Sequence, residues 1–191
     1  MLKKIFFASA LLVAASSANI AIAGSAAPYV GAGLGITVNT SNNGWGSFRG
    51  VPFNLFAGYG GLITDNFYLA GELSGTPGTA EMVSNGPLKT TYGYGISVIP
   101  GLMLSEHTMA FARAGVVRTH FSNVNVPPAV SSTNTNQTGG QLGLGLQTNV
   151  TQNIDLRGEY NFIAYRSINR AGASFSPRSD IFNVGIIYKF D

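Results

Sequence analysis

The sequence predicts an all-β protein, an eight-stranded antiparallel up-and-down transmembrane β-barrel. Three observations predict it. Only 10% of the residues are charged against 45% hydrophobic, and soluble domains carry about a quarter charged. Past the N-terminus, no apolar run approaches the roughly 20 residues of a spanning helix. Eight segments alternate with period two, separated by connections that run long, short, long, short.

The chain opens with MLKKIFFASALLVAASSANIAIAG. Lys3 and Lys4 precede an apolar stretch, and Ala21-Ile22-Ala23 stands before Gly24. This is the layout of a secretory signal peptide over residues 1–23, with an uncleaved anchor as the alternative. Residues 24–191 then form one barrel domain. Of eleven basic residues, Lys3 and Lys4 leave with the leader; nine against eight acidic residues give the mature chain a net charge of +1. The basic isoelectric point therefore owes much to the leader and is no argument for nucleic acid. There is no cysteine, so disulfides, thiolate chemistry and Cys-ligated metals are excluded.

The first strand, Pro28 to Val38, sets Val30, Leu34 and Ile36 against Gly31, Gly33 and Gly35. The second, Pro52 to Gly60, groups Phe53, Leu55, Ala57 and Tyr59. The third, Phe67 to Ser74, sets Leu69 and Leu73 against Glu72. The fourth, Lys89 to Leu104, aligns Tyr92, Tyr94, Ile96, Val98, Leu102 and Leu104. The fifth, Met109 to Phe121, is apolar on both faces, and Arg113 decides it: an Arg in lipid near the midplane costs about 2–4 kcal/mol, so Arg113 turns inward. The sixth, Gly139 to Val150, sets Leu142, Leu144 and Leu146 against Gln141 and Gln147. The seventh, Ile154 to Tyr165, sets Leu156, Tyr160 and Phe162 against Asp155, Arg157, Glu159 and Asn161. The eighth, FNVGIIYKFD, carries Phe182, Tyr188 and Phe190 on one face and closes the barrel against the first, since an open edge in hydrocarbon leaves backbone groups unsatisfied.

Connections near 39–51, 75–88, 122–138 and 166–178 are long and rich in Gly, Asn, Ser, Thr and Pro; those near 61–66, 105–108 and 151–153 are short. Long extracellular loops and short periplasmic turns place both termini on the periplasmic side. A soluble up-and-down barrel would reverse the faces. Here glycines and charges point into a lumen just wide enough for its own side chains. Glu72, Arg113, Asp155, Arg157, Glu159 and Lys189 balance three against three and are expected to form a filling charge network. A gated ion path or small pore is the alternative. Aromatics are expected in two girdles, one at each interface.

These segments carry a family resemblance. FAGYG, FYLAGELSG, FARAGV and NIDLRGEYNF resemble elements of the eight-stranded OmpA/OmpX/opacity-protein outer-membrane barrels of Gram-negative bacteria. FNVGIIYKF resembles the C-terminal segment read by the barrel-assembly machinery, although Asp191 follows the Phe that is usually last. The resemblance implies a lumen ion cluster at Glu72, Arg113, Arg157 and Glu159, with Gln147 where OmpA has a Glu. It implies a structural or adhesin-like surface protein that is not an enzyme and has no cofactor. No counterpart of OmpA's large peptidoglycan-binding domain is expected after the eighth strand, so the resemblance does not imply cell-wall anchoring.

Other signals weigh less. GAGLG and GLGLG place glycines every second residue inside strands, with no helix to complete a phosphate cradle. His120-Phe121-Ser122-Asn123 resembles the His-x-Ser-Asn of lipid A deacylases, making His120 and Ser122 the candidate pair for an alternative hydrolase; in that family the motif lies close to the C-terminus. Sequons at Asn39 and Asn136 are discounted in a bacterial-type chain, and the two histidines are too isolated for metal ligation. Arg49, Lys89, Arg118, Arg166, Arg170 and Arg178 against Glu81 and Asp180 give the extracellular ends +4, while Asp65, Glu106 and Asp191 give the periplasmic ends −3. Arg166, Arg170 and Arg178 are the candidates for binding lipopolysaccharide phosphates, with plain solubility of the loops as the alternative reading. Any other surface ligand is unidentified.

Overall fold

In the computed structural model, residues 26–41, 47–84, 89–126, 129–170 and 173–190 are described, with side chains throughout except at 41, 84, 123–133 and 168–175. The expected leader, residues 1–23, and Asp191 lie outside the described residues. Among the described residues there are ten strands: β1 Ala27–Ser41, β2 Phe48–Leu62, β3 Phe67–Ser84, β4 Lys89–Met103, β5 Thr108–Val126, β6 Ala129–Asn149, β7 Ile154–Tyr165, β8 Ile168–Arg170, β9 Ala173–Phe175 and β10 Pro177–Lys189. Eight of them close into an antiparallel barrel in the order β1-β10-β7-β6-β5-β4-β3-β2. The other two, β8 and β9, pair as a small hairpin in the last long connection.

Closure is made by β1 and β10, in register from Tyr29 opposite Lys189 to Ser41 opposite Pro177. Phe182, Tyr188 and Phe190 stand on the outer face of this seam, about half exposed. The two-residue period holds around the ring. Leu34, Ile96, Leu142, Leu144, Leu146 and Ile186 are each more than half exposed on the outside. Glu72, Arg113, Asp155, Arg157 and Asn161 are at most 3% exposed on the inside. A water-soluble fold does not wrap itself in such a continuous apolar surface. Lipid is the solvent that this face fits.

The long connections differ from the expected loops. β3 continues to Ser84, and β5 and β6 stay paired up to Val126 opposite Ala129, although β4 leaves β5 at Ser122 and β7 leaves β6 at Gly139. Much of 75–84 is therefore strand that stays paired with β2 past the end of its pairing with β4, and much of 122–138 is a β5–β6 ladder that rises past β4 and β7. No apolar alternation is written into these stretches of the sequence, so they read as loop.

Candidate functional site

The lumen is the first candidate. Period-two alternation on β3, β5 and β7 delivers Glu72, Arg113 and Arg157 to one level, where all three are buried. Arg113 Nη2 lies 2.7 Å from Glu72 Oε1, and its Nε and Nη2 donate to Glu159 Oε2 at 3.1 and 3.0 Å. Arg157 Nη1 donates to Glu72 Oε2 at 2.6 Å, and Tyr29 Oη donates to the same oxygen at 2.9 Å. Arg157 Nε and Nη2 both donate to Gln147 Oε1, at 3.0 and 2.9 Å. Gln147 Nε2 in turn donates to Asp155 Oδ2 at 2.6 Å, and Lys189 Nζ sits 3.1 Å from Asp155 Oδ1. All six expected charges thus join one network, and Gln147 is its connector. Three cations face three anions, so the cluster is neutral with a neutral amide at 147. A glutamate there would set a carboxylate against Asp155.

What surrounds Arg157 was not expected. Its guanidinium lies 5.0 Å from the Phe56 ring centre, 5.1 Å from Phe111 and 5.7 Å from Tyr29. These aromatics belong to a buried lumen cluster with Ile99, Met109 and Ile187. Each of the three has a glycine opposite it on a neighbouring strand: Phe56 pairs with Gly31, Tyr29 with Gly58, and Phe111 with Gly145. A Cβ on any of these glycines would meet the opposing ring. A narrow barrel holds large inward side chains only where the facing position is small. The signal was present as inward aromatics facing inward glycines. It becomes visible only once the register is known.

Nearer the long-connection end a second, uncharged plug forms. Asn39 Nδ2 donates to Thr90 Oγ1 at 2.6 Å, Ser179 Oγ donates to Asn39 Oδ1 at 2.6 Å, and Thr119 and Tyr165 share a hydrogen bond of 3.1 Å. Phe121, Ile163 and Val117 pack beside Tyr165. Between the plugs lies a cavity of about 90 Å³, lined by Asn54, Thr76, Asn183, Gln141, Arg113 and Glu159 among others. The sequon residue Asn39 is fully buried in the lumen.

Outside, the long-connection end presents Arg118, Arg166 and Arg178, all exposed. Arg170 lies in β8 and its side chain is outside the described set. Lys89 is held by Glu81 at 2.6 Å, and Asp180 accepts a hydrogen bond from Tyr160. His120 stacks on Tyr92 with ring centres 4.7 Å apart, and its Nδ1 shares a 2.8 Å hydrogen bond with Asn136 Oδ1. Ser122 lies two residues on along the same face, opposite Lys89. Among the described residues, no group of three His, Cys, Asp or Glu could hold a metal ion.

A sequence model of the outer membrane protein beta-barrel domain matches residues 7–190. The chain belongs to the outer membrane protein beta-barrel family. No curated protein sequence matches it. Among solved structures, this outer-membrane barrel is similar to Neisserial surface protein A, with 20% identity and a TM-score of 0.60 over 87% of this chain and all of that one. It is also similar to Ail, the attachment invasion locus protein of Yersinia pestis, with 18% identity and a TM-score of 0.54 over the same shares. A second Ail structure, in complex with the heparin analogue sucrose octasulfate, matches with 13% identity and a TM-score of 0.57 over the same shares. At these identities the likeness is one of fold. For an outer-membrane barrel, the short turns face the periplasm and the long hairpins face outward. The exposed arginines therefore stand at the extracellular interface, and the charge cluster lies within the membrane-spanning part.

Proposed function

We propose that this outer-membrane barrel is a non-enzymatic surface-interaction protein, exported by the signal peptide at residues 1–23 and inserted by the barrel-assembly machinery. Its extracellular rim engages anionic glycans, with lipopolysaccharide phosphates foremost. The observation that carries this reading is the position of Arg166 and Arg178, exposed at the rim with no acidic partner among the described residues, above a lumen filled by its own side chains. Arg170, in the hairpin between them in sequence, completes the set. Guanidinium forks match the paired oxygens of phosphate and sulfate esters. The complex of Ail with sucrose octasulfate supports the same chemistry in a barrel of this shape. Purified lipopolysaccharide should bind the refolded barrel, more weakly as salt rises. Binding should fall when Arg166, Arg170 and Arg178 become Gln. Salt-independent binding, or full binding by the triple variant, contradicts the reading.

One observation favours a second reading, a lipid A hydrolase. The Asn136 contact fixes the His120 ring, and Ser122 follows two residues later on the same face. Mass spectrometry of lipid A from cells with and without the protein decides between the two. An unchanged acylation pattern is expected, and loss of an acyl chain that depends on Ser122 would establish the hydrolase. Conductance in planar bilayers tests the small pore, and no steady current is expected through the filled lumen.

A further inference from the structure

Register places two of the rim arginines in one row. Arg118 on β5 is opposite Thr138 on β6. The Arg166 backbone N–H, just past the end of β7, donates to the Thr138 carbonyl at 3.1 Å. All three residues share the outward parity of Leu142 and Phe162. The two arginines therefore flank one small residue on the outer wall, two strand spacings or about 10 Å apart at the backbone. The row continues onto β4 with Tyr94, opposite Arg118 and 57% exposed. One step further out run Tyr92, His120 and Asn136, tied together by the ring stack and the hydrogen bond. One step inward the wall is apolar: Ile96, Val116 and Gly140, then Leu142.

We infer that Arg118 and Arg166 form a two-armed clamp on the outer wall of the barrel for the phosphorylated headgroup of an outer-leaflet glycolipid, seated over Thr138 and Gly140. Four observations support it. The row sits where lipid-facing apolar residues give way to tyrosines, which is the height of lipid headgroups. Arginine is tolerated at this height, whereas deeper it costs several kcal/mol. Neither arginine has an acidic partner among the described residues; the carboxylate of Asp180, on β10 of the same wall, is occupied by Tyr160. The residues between the arms are small, because Thr138 has a short side chain and a Cβ at Gly140 would meet nothing within 4 Å. The wall is therefore recessed between two cations and open to acyl chains below. That shape selects a lipid carrying phosphate on both ends of its sugar headgroup over a soluble glycan, which has no chain to lie along Leu142 and Val116.

This inference rests on the rim reading above but adds Arg118 and the recess at Thr138, so the two can fail separately. The probe is bisphosphorylated lipid A titrated into the refolded barrel in zwitterionic micelles, with the dephosphorylated lipid and sucrose octasulfate as controls. Arg118→Gln should weaken lipid A binding by about tenfold, the scale of one lost charge-assisted hydrogen-bonding group. Thr138→Phe keeps every charge and fills the recess from an outward-facing position. It should weaken lipid A binding by a similar factor and leave sucrose octasulfate binding unchanged. If both variants bind lipid A like the parent while the Arg166, Arg170 and Arg178 triple variant loses it, the clamp is overturned and the rim reading stands. If the parent barrel does not bind lipid A at all, both are overturned.

Discussion

Arg157 concentrates the residue-scale physics. It is a cation with 3% of its side chain exposed, held by Glu72 and Gln147 and enclosed by three aromatic rings. Buried charge is tolerable only when paired, and removing one partner leaves the other uncompensated. Arg157→Met is expected to cost about 3–5 kcal/mol, read as a lower urea midpoint for the barrel in detergent. Unchanged unfolding would mean that the cluster is hydrated. Gln147→Glu probes the connector. It keeps an acceptor for Arg157 but removes the donor to Asp155 and opposes two carboxylates, so a loss of about 1–3 kcal/mol is expected in the same assay. Individual charges were legible in the sequence because parity alone assigns them inward. Their partners were not, since pairing depends on which side chains share a level across the ring.

At the scale of the element, β10 makes the barrel possible. It gives β1 its second neighbour along the full length from Lys189 to Pro177. At its periplasmic end, Lys189 N–H donates to the Asn153 carbonyl at 2.8 Å and Phe190 N–H to the Pro28 carbonyl at 3.0 Å. Tyr188 and Phe190 pack edge to face on the outer wall with ring centres 5.1 Å apart. Removing Tyr188 to Asp191 takes away the end of this seam and the Lys189–Asp155 ion pair. The truncated chain should remain protease-sensitive and show no heat-dependent gel shift, while loss of Asp191 alone should be tolerated. A heat-modifiable barrel from the longer deletion would show that closure does not need the terminal segment. The eight barrel segments were readable because one face meets lipid and the other a packed lumen, and β7 runs from Ile154 to Tyr165 as its alternation indicates. The upper halves of β3 and β6 and the end of β5 past Phe121 were not, because these stretches carry no apolar alternation.

For the whole molecule, the inside is used up by packing and the outside is divided into bands. Two plugs flank a cavity of about 90 Å³, enough for a few waters. On the proposed surface-interaction role, contact with ligands falls to the outer wall and the extracellular hairpins. The sequence disclosed the band structure through its aromatics and its axial charge asymmetry. It did not disclose that aromatics such as Phe56 and Phe111 also fill the lumen, since an inward ring and a lipid-facing ring look alike until register sets a glycine opposite one of them. Alternate residues of every barrel strand face lipid and a filled lumen. The native chain has no cysteine, so single spin labels introduce no background. In bilayers, labels at Leu142, Leu144 and Leu146 should be relaxed strongly by oxygen dissolved in the lipid, and labels at Gln141 and Gln147 should not. Equal accessibility along β6, or the opposite alternation, would contradict the account.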